Sequence, residues 1–308
     1  MRMLMVGAGG IGGYFGARLL EKGEDITFLV REGRKKNIEQ QGLRVNSQHG
    51  NLHLQPALLT KSMQAEPFDA VLLSTKAYHL EQAIEDIRPF VGEQTMILPL
   101  LNGIAHVDKL VSAFGEDAVI GGLCFIETTI GEDGSIVQTS PIHQLVYGER
   151  SGERTARIDK LKSHFDDTKA EFVLSENIDQ DMWHKYMFIT AMSGITSLME
   201  SPIGPIRELP SGQAAIKSLL EELEAVMTAI DAPIKHGIAS IQLDKVNSMD
   251  ASMKSSMQRD MEKDQGIEAD HLQGHLIEKA HETNVFVPVL ETVYTKLKLY
   301  EANRNMEK

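Results

Sequence analysis

Two short patterns in this chain carry chemistry. The first is Gly7-Ala8-Gly9-Gly10-Ile11-Gly12, a Gly-x-Gly-x-x-Gly spacing that follows the apolar run Met3-Leu-Met-Val6 and opens a helical stretch from Tyr14 to Leu20. Its first glycine permits a tight turn, its second lets backbone approach a pyrophosphate, and its third lets a helix pack on a strand. N–H groups at the helix start then face the negative charge, which makes Gly7, Ala8, Gly9, Gly10, Ile11 and Gly12 a candidate dinucleotide cradle. The second pattern is Asp181-Met-Trp-His-Lys185-Tyr-Met-Phe. On an amphipathic helix, a partly desolvated Lys185 amine is suited to giving a proton to a substrate oxygen.

Further along, the residue types choose between ligands. About 20 residues past such a fingerprint, an acidic side chain favours the ribose of NAD, and an arginine favours the 2′-phosphate of NADP. Arg31 stands there, with Arg34, Lys35 and Lys36 close by and only Glu32 among them, so NADPH/NADP+ is expected. Ligands of open parallel sheets bind beyond the C-terminal ends of strands, where Ser74-Thr75-Lys76 and Leu101-Asn102-Gly103 fall. Lys76 offers a cation there, and Asn102 an amide donor and acceptor; either residue serves equally well as a helix cap. His271 and His275 share a helical face one turn beyond Glu268, but the glutamate of a His-Glu-x-x-His site is missing and no metal is expected. Cys124, in an apolar run, reads as a small buried hydrophobe.

These residues need elements to hold them. Ten of the 25 glycines lie in the first fifty residues, and the β-α-β opening continues with Ile26–Val30 and with Ala70–Ser74 before a helical stretch. Thr95–Leu101 then precedes another helical stretch, giving the alternation of a mostly parallel sheet covered on both faces. Beyond Val119, strand-like runs joined by Gly131-Glu-Asp-Gly134 read as a hairpin. After Asn177 long helical periods take over. The expected fold class is therefore α/β, a Rossmann-type dinucleotide-binding domain over 1–176 followed by an all-α substrate and dimerisation domain over 177–308, with a homodimer plausible from its apolar methionines.

Composition narrows the classes of function. The chain has 308 residues, 42% of them hydrophobic, and a formal charge of -13. Lys and Arg number 13 against 18 Asp and Glu up to residue 150, and 18 against 26 after it, so neither part has the positive excess that a nucleic-acid binder needs. No run of about 18 apolar residues suggests a membrane span, and a single cysteine fits a cytoplasmic protein.

Several motifs taken together resemble the ketopantoate reductase family. They are Met5-Val-Gly-Ala-Gly-Gly-Ile-Gly12, Lys76 within Leu-Leu-Ser-Thr-Lys-Ala-Tyr78, Asn102-Gly103, Leu145-Val-Tyr-Gly-Glu149, Trp183-x-Lys185, and Ser255-Ser-Met-x-x-Asp260 with Glu268 twelve residues after Ser256. Their order spans nearly the whole chain. The resemblance implies NADPH-dependent reduction of 2-dehydropantoate to pantoate, the precursor of pantothenate. It implies Lys185 as proton donor, Arg31 on the cofactor phosphate, and Asn102 and Lys76 at the strand ends, with Asn102 touching both cofactor and substrate. Ser256 falls on the substrate carboxylate, and Glu268 on an acidic residue that orients the amine, the substrate or the cofactor. Departures cluster at the substrate-binding positions, where asparagines of the family correspond to Ile189, Ser193, Met253 and Gln273. A buried amide that is replaced changes which substrate fits. Two alternatives to a 2-dehydropantoate reductase thus stay open: a reductase of another 2-keto acid or ketone, and a non-catalytic NADP(H)-sensing protein.

Overall fold

From the N-terminus, strands and helices alternate as β1 (Arg2–Val6), α1 (Gly10–Lys22), β2 (Asp25–Leu29) and α2 (Glu32–Gln41). Three short strands follow, β3 (Leu43–Ser47), β4 (Leu52–Leu54) and β5 (Ala57–Leu59), then β6 (Phe68–Leu73), α3 (Leu80–Ile87), β7 (Val91–Pro99) and α4 (Ala105–Phe114). The computed structural model describes residues 1–306. Met1–Leu101 with His106–Asp179 form one compact unit, and Asn102–Ala105 with the described residues from Gln180 onward form another.

In the first unit, β5-β2-β1-β6-β7 make a sheet whose neighbours are all parallel. Strand side chains alternate between faces, and here both faces are buried. Met3, Met5, Leu72 and Leu98 join one core, while Leu4, Val6, Val71, Leu73 and Ile97 join the other with Leu80, Ile84 and Leu110 of the covering helices. This is why these strands read as unbroken apolar runs.

The hairpin read from Gly131–Gly134 is present, as β8 (Gly121–Ile130) paired antiparallel with β9 (Ile136–Gly148). It belongs to a second sheet, β10-β9-β3-β4, whose edge strand β10 (Glu171–Leu174) follows the helix α5 (Ala156–Phe165). Sequence periodicity gives no sign of β3, β4 and β5, because these strands of three to five residues are only partly buried and lack the unbroken apolar run that marks β1. Helix α1 contacts both sheets, so its whole circumference is enclosed. Even Arg18 is fully buried, its guanidinium donating to the Gly50 carbonyl (2.7 Å) and to Glu21 (2.8 Å) and lying over the Tyr14 ring.

The second unit is helical. It contains α6 (Ile178–Met199) from residue 180 onward, α7 (Ile203–Glu208), α8 (Pro210–Ala229), α9 (Ile238–Ser248), α10 (Ser256–Glu262), α11 (His275–Thr283) and α12 (Pro288–Met306). One apolar core joins Tyr186, Met187 and Met192 of α6 to Leu219, Leu220 and Leu223 of α8 and to Leu290 and Val293 of α12. The α/β unit followed by an all-helical unit is the architecture expected from the sequence. No helix among the described residues is long and apolar enough to cross a membrane.

Candidate active site

The glycine loop joins the C-terminal end of β1 to α1, beside the end of β6 where the sheet order reverses. Open α/β sheets bind ligands at such a switch point. Gly7 is turned into the left-handed region (φ +94°), its N–H donating to the Leu29 carbonyl (3.0 Å), and a Cβ there would press on the Ser74 carbonyl at 3.1 Å. At Gly12 a Cβ would lie 2.4 Å from the Gly7 carbonyl oxygen and 2.9 Å from Ser74 Oγ, so this glycine is what lets the helix seat on the strand ends. Gly10 is tight for a different reason, a Cβ there meeting Thr128 Oγ1 of β8 at 2.5 Å. Gly9 faces open space. It occupies the N-cap position of α1 without a side-chain cap, and the first turn carries no acidic residue. Uncapped N–H groups, a glycine opening onto free space and a positive helix end are features that fit a pyrophosphate.

The basic residues after β2 divide into two roles. Arg34 donates to the carbonyls of Ala8 (3.1 Å) and Gly134 (3.0 Å) and to Asn37 Oδ1 (3.1 Å), so it braces the glycine loop rather than waiting for a ligand. Lys35 pairs with Glu39 at 3.3 Å. Arg31 is exposed at the N-cap position of α2. Burial, and secondarily the Arg31 charge, hold the His79 imidazole below its ordinary range, so Arg31 acts electrostatically on the segment after β6. Lys76 is exposed at the cap of the 3-10 turn Ala77–His79. Thr75 Oγ1, beside it, is buried without a hydrogen-bond partner.

In the helical unit, Lys185 is 8% exposed and its Nζ donates to Asn102 Oδ1 at 3.0 Å. Asn102 belongs to this unit through the segment Asn102–Ala105, although it lies three residues beyond the end of β7. Its carbonyl accepts a 2.6 Å hydrogen bond from His271 Nε2. His271 sits on a π turn, Asp270–Gly274, between the half-buried Glu268 and α11. The wide turn is fastened on two sides: Tyr186 Oη donates to the Leu272 carbonyl (2.5 Å), and Asp270 accepts from Tyr294 Oη (2.6 Å) and Lys298 Nζ (2.9 Å). Burial pushes the Tyr186 phenol well above its ordinary range, which keeps it a donor.

Beyond Lys185, α6 presents Ile189, half-buried against the helical core, and Ser193, which is buried. Gln273, fully buried, donates to Ser193 Oγ (2.8 Å) and to the Thr190 carbonyl (3.2 Å). Two of the positions read from the sequence as departures are therefore bonded to each other. Ser256 is exposed at the first residue of α10, whose N-cap is Ser255; the Ser255 hydroxyl accepts from Gln258 N (3.0 Å) and bonds Thr196 Oγ1 (2.8 Å). Cys124 is buried in the core. Among the described residues, no three His, Cys, Asp or Glu side chains gather as metal ligands.

Of the predicted residues, Lys185 and Asn102 are in hydrogen-bond contact, and the glycines form one loop. Sequence reasoning missed His271 as the partner of Asn102 and Arg34 as a brace. A π turn leaves no periodic signal, and a side chain reaching a backbone carbonyl leaves none either.

An open parallel sheet with a glycine loop at its switch point, followed by a helical unit with a buried lysine, has the two-unit architecture of nucleotide-dependent oxidoreductases. Family models described as "Ketopantoate reductase PanE/ApbA" and "Ketopantoate reductase PanE/ApbA C terminal" match residues 3–152 and 177–301, and the chain belongs to this family of oxidoreductases. It is 44% identical to the "Uncharacterized oxidoreductase YkpB" of Bacillus subtilis, over 99% of this chain and 100% of that one. The structure of 2-dehydropantoate 2-reductase from Geobacter metallireducens is similar at a TM-score of 0.86 and 26% identity, covering 97% of this chain and 99% of that one. A ternary structure of D-mandelate dehydrogenase with NADH and anilino(oxo)acetate has the same fold, with a TM-score of 0.89 at 18% identity over 99% of this chain and 100% of that one.

Proposed function

We propose that the protein is a cytoplasmic NADPH-dependent reductase of a small 2-keto acid, with 2-dehydropantoate as the substrate and pantoate as the product. The observation that carries this reading is the buried Lys185 amine held on Asn102 Oδ1 at 3.0 Å. An ammonium is a donor only, so the Asn102 bond fixes its direction without competing for its proton. Lys185 gives that proton to the carbonyl oxygen as negative charge develops there. Glu268 orients the amine or the substrate, and Ser256 meets the substrate carboxylate. When bound, NADPH supplies the hydride. Gly7 to Gly12 hold its pyrophosphate, Arg31 its 2′-phosphate, and Lys76 and Asn102 its further polar groups. Assaying NADPH oxidation with 2-dehydropantoate and a panel of 2-keto acids tests the proposal; NADPH binding without turnover of any of them would leave a sensing protein instead.

Arg31 should decide between the nicotinamide cofactors. An exposed charge-assisted contact is worth about 1.5 kcal/mol, so Arg31→Ala should weaken NADPH binding by roughly tenfold and leave NADH unchanged. A fluorescence titration in which the wild type binds NADH as tightly as NADPH would refute the assignment.

The Ser193–Gln273 bond favours a second reading, a keto acid without the hydroxyl of 2-dehydropantoate, since these polar groups are already committed to one another. A site built to bond a hydroxyl rejects the analogue lacking it by about 10⁴-fold, whereas an apolar site discriminates by no more than about 10²-fold. Comparing kcat/KM for 2-dehydropantoate and its analogue without the hydroxyl separates the two readings by that margin.

A further inference from the structure

We infer that His271 is a positioning residue for the Lys185–Asn102 pair, acting through the main chain of the Asn102-Gly103 turn. This rests on the proposed role of Lys185. The acceptor is a carbonyl, so the 2.6 Å contact from His271 Nε2 to Asn102 O requires the proton on Nε2, which fixes the ring's tautomer. The ring also lies against the turn. Gly103 is left-handed (φ +82°), and a Cβ there would stand 2.9 Å from His271 Nε2 and 3.0 Å from Cδ2, so glycine is what admits the imidazole so close.

One residue is thus gripped at both ends, its carbonyl by His271 and its side-chain oxygen by Lys185 Nζ. The π turn supplies the rigidity. Tyr186, the residue after Lys185, holds the carbonyl of Leu272, the residue after His271, so adjacent pairs on α6 and on the turn are cross-linked by two hydrogen-bonded routes. The geometry resists independent movement of the amine and the asparagine. Single-turn π bulges often mark functional sites, and this one places a donor where an α turn would aim it elsewhere.

The test compares His271→Gln, whose Nε2 can reproduce the donor, with His271→Phe, which keeps a planar ring and removes it. A misplacement of about 1 Å at a reacting group costs on the order of 100-fold. We expect His271→Phe to lower kcat by about that factor with KM almost unchanged, and His271→Gln to recover most of it. Turnover is not the only readout. Acylation of Lys185 by an amine-reactive acetyl ester, followed by mass spectrometry of its peptide, should rise severalfold in His271→Phe and stay near wild type in His271→Gln. If His271→Phe does not fold, His271→Leu takes its place. Unchanged labelling and kcat in the donorless variant, or a glutamine variant as impaired as the phenylalanine one, would overturn the inference. A wild type that reduces no 2-keto acid, with Lys185 labelling still dependent on His271, would instead defeat the proposed function and leave the positioning role standing.

Discussion

Lys185→Ala should lower kcat by roughly 10²- to 10⁴-fold on whichever 2-keto acid the protein reduces best, the range over which positioned acid–base groups contribute. NADPH affinity should fall far less than kcat, because Gly7 to Gly12 and Arg31 lie in the first unit and of the proposed cofactor contacts only Asn102 loses a partner. Lys185→Arg should not rescue the rate. A guanidinium keeps its proton at any working pH, and its planar fork does not reproduce the compact ammonium that Asn102 Oδ1 accepts from. Removing the amine also leaves Asn102 Oδ1 without this donor, so Asn102→Ala should share part of the loss, and the double variant should cost less than the sum of the two. Stopped-flow reduction under single-turnover conditions reads the chemical step directly. An alanine variant with the wild-type rate would remove Lys185 from the reaction.

The glycine loop was legible in the sequence because its geometry is local. Six consecutive residues, Gly7 to Gly12, make the loop, and three of its glycines are there for close contacts: Gly7 and Gly12 against Ser74 at the end of β6, and Gly10 against Thr128 of β8. The core strands were legible because both faces are buried, which writes an unbroken apolar run. What stayed hidden is long-range. Arg34 reads as one more cation in a basic cluster, yet its partners are the carbonyls of Ala8 and Gly134, 26 and 100 positions away. Ser193 and Gln273 read as two separate losses of asparagine, and only the packing of the π turn against α6 makes them one bonded pair. His271 and His275 have the spacing of one helical face, which in the sequence gives His271 no other partner. The π turn breaks that spacing, and the ring is committed to Asn102 instead.

Gly12 and Gly9 should fail in different ways, and the contrast tests the cradle more sharply than either substitution alone. At Gly12 a methyl would stand 2.4 Å from the Gly7 carbonyl oxygen, a backbone atom that cannot swing aside, and 3.0 Å from Ser74 Cβ. Gly12→Ala therefore has to push α1 away from β1 and β6, and overpacking of this kind costs about 1–3 kcal/mol. The helix is enclosed by two sheets, so the shift cannot be absorbed on a solvent face. We expect a melting temperature lower by several degrees, together with NADPH binding weakened by at least about 100-fold, since the helix end proposed to hold the pyrophosphate moves with the backbone. Gly9 has ordinary extended backbone (φ −85°, ψ −162°) and open space where its Cβ would be. Gly9→Ala should leave the melting temperature unchanged or slightly raised, because a glycine replaced without strain mainly restricts the unfolded chain. Its methyl would nonetheless occupy the ground where the pyrophosphate approaches, and NADPH affinity should fall by about tenfold or more. Thermal melting and fluorescence titration of both variants separate the two costs. If Gly9→Ala binds NADPH like the wild type, the phosphates do not pass over Gly9, and the cradle has to be redrawn nearer the Ser74–Lys76 strand end.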